Sequence, residues 1–266
     1  MVGTSTAPGM QPNQPPVFPT RWWQSAAGRY LLEAEQRAVD HLLAGTAGFR
    51  AALVKGLPSP FHIHRAPQLH KFVLAEFCGE EVGALCHPDA LPLPAETVEL
   101  VVLHHVLDCA EYPHEALKEA ARVVQGSGHL LVVGFNPLSL FGLVHLLPSR
   151  RARLVRRMLT AGRVCDWLRL LGFAPEGLLY GAFRPPCRSS RLLAAWAFCD
   201  RLPAHLPLGG FYAVAARKMR LRPVRVAPPW FERPKRAVQW VPSCRNGGSP
   251  AVGQWEAGRD LHRRGL

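Results

Sequence analysis

Residues 91–134 read LPLPAETVELVVLHHVLDCAEYPHEALKEAARVVQGSGHLLVVG, and this stretch decides the fold. Val98 to Leu103 is a β-branched apolar run, the pattern of a strand buried on both faces. Pro113 opens a helix, where its fixed φ and missing N–H are tolerated. Leu117, Ala120, Ala121 and Val124 recur at helical spacing and give that helix an apolar face. Gln125-Gly126-Ser127-Gly128 breaks it, and Leu130 to Val133 is a second buried strand. Strand, helix and strand at these lengths make a parallel crossover. Ligands of such sheets sit beyond the carboxyl ends of the strands.

Working outward, Leu31, Leu32, Glu35, Ala38, Val39, Leu42 and Leu43 mark an amphipathic helix ending near Gly45. Phe49 to Val54, Lys71 to Ala75 and the weaker Gly83 to Cys86 read as three earlier strands. Phe77 to Val82 leaves room for little more than a turn between the last two. Arg150 to Leu171 reads as a helix, residues 174–208 as a Pro-rich loop around a helix at Leu192 to Cys199, and Gly210 to Ala216 as a last strand. Three segments follow: a disordered extension over 1–20, an α/β domain over 21–218, and a basic, Pro- and Arg-rich tail over 219–266 that is predicted to be disordered.

Leu91-Pro92-Leu93, His105-Val106-Leu107, Pro113, Ala116-Leu117, Glu119, Arg122-Val123-Val124 and Gly126-Ser127-Gly128 follow one another in a recognisable order. In these residues the stretch resembles the second half of a class I S-adenosylmethionine-dependent methyltransferase of the type 11 group. The resemblance implies a Rossmann-like α/β sheet, mostly parallel with an antiparallel last strand, and helices on both faces. It also implies S-adenosylmethionine as cofactor and a small or lipid-like methyl acceptor.

Carried over position by position, the resemblance puts the cofactor against Lys55 and Gly56 after the first strand and Glu76 after the second. His87, Pro88 and Asp89 follow the third strand, and Leu103 and His104 end the fourth. His105, on that rim, is the candidate base toward the acceptor. The chain departs from the family pattern at the glycine turn that cradles the methionine end. Only Gly56 of the usual G-x-G remains, and Pro58 and Pro60, which have no N–H, follow it. His87 stands where the family has an adenine-binding Asp. These departures open a second reading, a catalytically silent relative that keeps the fold as a binding or scaffold module.

Seven scattered cysteines without a C-x-x-C spacing point to reduced thiols and a cytoplasmic protein. The Pro- and Gln-rich N-terminus carries no signal-peptide pattern, and no transmembrane segment is expected. His62, His64, His70, Cys78, Cys86 and His87 lack the tight paired spacings of zinc ligands, so no metal site is expected. The formal charge of +13 is concentrated in the tail, where residues 217–266 hold twelve Lys/Arg against three acids. That excess suits an anionic partner, nucleic acid or a membrane surface, although no nucleic-acid recognition motif accompanies it.

Overall fold

A computed structural model describes residues 22–79, 81–146, 157–185, 187 and 189–219. The extension over 1–20 and the tail beyond Met219 lie outside the described residues. Helix α1 (Ala26–Leu43) precedes strands β1 (Arg50–Lys55), β2 (His70–Ala75), β3 (Ala84–Leu85) and β4 (Val98–His104). Short α2 (Val106–Cys109), α3 (Pro113–Val123) and β5 (Val124–Phe135) complete the predicted crossover. Then come α4 (Leu140–Leu146), α5 (Ala161–Leu170), β6 (Phe173–Gly181), α6 (Ser190–Ala195), a 3-10 turn at Ala197–Arg201, and β7 (Phe211–Lys218).

The seven strands lie in the order β3-β2-β1-β4-β5-β7-β6. Strands β1 to β5 pair in parallel, and β7 runs antiparallel to both its neighbours. The order reverses between β1 and β4, the switch point at which such sheets bind ligands, where Lys55 and His104 end their strands.

Period-two alternation splits the core. Ala52, Val54, Val101 and Leu103 face α3 and α5, whereas Leu53, Leu100, Val102 and Phe135 face α1 and the loop after β1. Helix α1 starts at Ser25, whose side chain accepts the Gly28 N–H at 3.1 Å. Helix α5 starts at Thr160 in the same way, so residues 157–160 are not helical and the predicted helix from Arg150 begins late. The part of that prediction over 150–156 lies outside the described residues.

Strand β6 corrects the reading of residue 174 onward as loop. Pro175 and Gly177 hide it, because both weaken a strand. The register shifts between Pro175 and Gly177, and β6 is an edge, the two places where a sheet tolerates proline.

Tyr212 on β7 is fully buried, and its hydroxyl has no hydrogen-bond partner among the described residues. An unsatisfied buried hydroxyl costs about 1–3 kcal/mol. Tyr212→Phe is therefore expected to raise the urea midpoint or leave it unchanged. A clear loss of stability would show that the hydroxyl has a partner.

Candidate active site

Strand β1 delivers Lys55 and Gly56 to the crevice. The Gly56 N–H is spent on the His104 carbonyl at 2.9 Å. A Cβ at Gly56 would lie 2.4 Å from the His105 carbonyl oxygen, so the turn requires glycine because it packs against the end of β4. The segment from Gly56 to Leu69 contains no helix. Leu57, Phe61, Ile63 and Ala66 instead bury themselves against α1 and the sheet. No helix N-terminus therefore offers its free N–H groups at this strand end.

Lys55 supplies charge in their place. Its side chain is only 5% exposed; Nζ donates to the Ser59 carbonyl at 3.0 Å and pairs with Glu81 at 3.5 Å. Burial lowers the Lys55 pKa, and the charge of Glu81 opposes that shift. Glu81 also meets His62 Nδ1 at 2.9 Å. Lys55, Ser59, His62, Phe77, Cys78 and Glu81 line a cleft of about 460 Å³ beyond β1 and β2. His62 also lines an adjoining open groove of about 880 Å³, with Arg29, Tyr30, Arg37, Arg65 and Arg184. In the groove the Tyr30 hydroxyl donates to Asp200 at 2.6 Å, and Arg184 donates Nε to the same carboxylate at 3.1 Å.

Below the cleft lies a fully buried network. Glu35, in the middle of α1, receives His104 Nε2 at 3.1 Å and His105 Nε2 at 3.0 Å. His105 Nδ1 meets Asp108 Oδ2 at 2.8 Å, and the Phe135 N–H donates to the same oxygen at 2.9 Å. His104 Nδ1 meets Ser59 Oγ at 3.3 Å. Phe61 stacks on His104 and Phe135 on His105, with ring centroids 4.1 and 3.9 Å apart. Burial alone would raise the Glu35 pKa, but the charge of His105 and hydrogen bonds from both imidazoles bring it down to about 2. Burial likewise disfavours charge on His105, but the Glu35 carboxylate and the bond to Asp108 lift its pKa to about 9. His104 falls to about 4, through burial reinforced by the charge of His105.

The structure divides the predicted cofactor residues. Lys55 reaches the cleft, while His104 lies beneath its floor and Leu103 points into the core. Glu76 and His87 meet at 2.8 Å, and His87 also pairs with Asp89; Pro88 is buried beside them. His105 corrects the expectation of an acceptor-facing base. It has no exposed surface, and both its ring nitrogens are held by carboxylates.

Glu35, Ser59, His62, Glu81 and Asp108 are absent from the sequence-based site. Glu35 carried a signal: it stands four residues after Leu31 and four before Val39, on the face that the helix buries. An acid there needs a buried partner. Asp108 lies three residues after His105, within reach on one helical turn.

A family model described as a methyltransferase domain matches residues 63–132. The uncharacterized protein YafS of Escherichia coli K12 is 31% identical over 159 residues, covering 59% of this chain and 66% of that protein. The match thus spans a little under two thirds of that relative's length. A solved Thermotoga maritima S-adenosylmethionine-dependent methyltransferase, described as a possible histamine N-methyltransferase, superposes with a TM-score of 0.58 at 19% identity. It covers 74% of this chain and 93% of that one. A methyltransferase structure from Mesorhizobium loti gives a TM-score of 0.47 at 18% identity, over 70% and 100% of the two chains. Among the described residues, no helix is long and apolar enough to cross a membrane.

Proposed function

We propose, for a chain with a methyltransferase fold whose residues 63–132 match a methyltransferase-domain model, transfer of a methyl group from S-adenosylmethionine to a small polar acceptor. The observation that carries this reading is a pair of adjoining cavities sharing His62, one for each substrate of a two-substrate reaction.

The cleft fits the cofactor in size and charge. About 460 Å³ lies within the usual range for a small-molecule site. Lys55 and Glu81 set a cation beside an anion, complementary to an amino-acid end that carries both a carboxylate and an ammonium. Phe77, just after β2, offers an apolar wall, while Glu76 beside it is held by His87 at 2.8 Å. The fit is made by side chains, because Pro58 and Pro60 donate nothing and the Gly56 N–H is already spent.

When bound, the cofactor supplies an activated methyl group, so the protein's share is alignment and proton handling. Glu81 holds His62 at Nδ1, which leaves Nε2 as the acceptor on the neutral ring. Burial keeps the His62 pKa below its ordinary value against the pull of Glu81. His62 is thereby suited to take the acceptor's proton. The groove sets four arginines against Glu33, Asp40 and Asp200, with Arg65 paired to Asp40 and Arg184 to Asp200, and this charged lining favours a polar acceptor over a lipid chain.

Calorimetry with S-adenosylmethionine tests the first half. Losing a charge-assisted hydrogen bond costs about 1.5–3 kcal/mol, so Lys55→Ala should weaken binding roughly tenfold to a hundredfold. His62→Asn should slow labelled-methyl transfer to a panel of small polar amines and phenols far more than it weakens cofactor binding. A wild-type chain that binds no cofactor would overturn the reading and leave the fold as a scaffold.

A further inference from the structure

The groups beneath the cleft converge two imidazoles on one buried carboxylate. Consecutive strand residues point to opposite faces, yet His104 and His105 aim at one carboxylate. His105 achieves this by leaving the strand at φ 53° and ψ 20°, the left-handed region that non-glycine residues rarely adopt. Backbone strain of this kind persists where the surroundings over-determine it, and such places cluster at ligand clamps.

We propose that Glu35, His104 and His105 form a closed binding site for one Zn²⁺ ion, which pins α1 to the end of β4. Their ligand atoms all lie within 4.8 Å of one another, and every one of the three residues is buried. Zinc bonds to nitrogen and oxygen run about 2.0–2.2 Å, so two tetrahedral ligand atoms lie roughly 3.3 Å apart. The hydrogen-bonded separations of 3.0 and 3.1 Å between the imidazoles and Glu35 are a few tenths of an ångström shorter, so a small outward shift of the rings admits the ion. Glu35 turns one oxygen to each histidine, so a bidentate carboxylate and two imidazoles supply four donor atoms.

The outer groups follow the pattern of metal-bound histidine. Asp108 holds the far nitrogen of His105 and Ser59 that of His104, fixing both rings with Nε2 inward. Phe61 and Phe135 clamp the ring planes. Two histidines with one carboxylate also suit iron, but iron oxygenase sites keep open positions. The rings and the carboxylate here have no exposed surface, which favours the redox-silent ion. The sequence hid this site because its ligands lie 69 and 70 residues apart.

The test uses the full chain with any affinity tag removed. The protein is unfolded in chelator, refolded with and without Zn²⁺, and assayed for metal by mass spectrometry. The expected result is about one tightly held equivalent, with a melting temperature that rises with Zn²⁺ concentration. Cobalt substitution should give the visible bands of a four-coordinate nitrogen and oxygen site. Asp108→Asn should weaken binding about 10- to 100-fold, Glu35→Gln should abolish it, and surface His64→Asn should change nothing. Should Glu35→Gln fail to fold, the wild-type stoichiometry and the cobalt spectrum decide alone. A wild-type chain refolded in Zn²⁺ that retains none, or metal retained by folded Glu35→Gln, overturns the site.

Discussion

Glu35→Ala is expected to cost roughly 3–5 kcal/mol of folding stability, the range for removing one partner of a buried ion pair. The deletion leaves His104 and His105 facing an empty space where a carboxylate stood, with no water route to either ring. Asp108 then carries the only negative charge of the network. Glu35→Gln keeps the volume and one oxygen acceptor, and its loss should be smaller. Urea unfolding followed by circular dichroism measures both. A loss below about 1 kcal/mol for the alanine variant, the level of an exposed pair, would show that the network does not hold α1 in place.

Cofactor affinity should be low by the standards of the family. The missing glycine turn and the absent adenine-binding Asp remove two or three hydrogen bonds, each worth about 0.5–1.5 kcal/mol. The combined effect is on the order of a hundredfold in dissociation constant. Calorimetry beside a type 11 relative with an intact G-x-G turn reads the difference directly. Equal affinities would mean that Lys55 and Glu81 fully replace the lost backbone donors.

The fold was legible wherever burial sets a period. Val98 to Val133 was readable because both strands and the apolar face of α3 are buried against the sheet. The antiparallel last strand was readable from an uninterrupted apolar run, of which Phe211 to Ala216 is buried. Strand β6 escaped because Pro175 interrupts it, and its bulge is a tertiary accommodation that no local pattern announces. The site was legible only at strand ends. Lys55, Glu76, His87 and His104 could be placed there by counting, but which of them meets solvent depends on the segment from Gly56 to Leu69. That segment folds Phe61 onto His104 and so moves the histidines from the wall of the cleft to beneath its floor.

The long span between Glu35 and its histidines also bears on the order in which the protein is made. Helix α1 leaves the ribosome before the sheet, with Leu31, Val39 and Leu43 set to face strands that do not yet exist. Its buried acid finds no partner until about seventy further residues have been synthesised. Until β4 arrives, the helix carries an apolar stripe interrupted by a solvated charge, which opposes premature collapse on the wrong surface. Glu35 thus ties the first helix to residues far along the chain, at the end of the strand that borders the crevice.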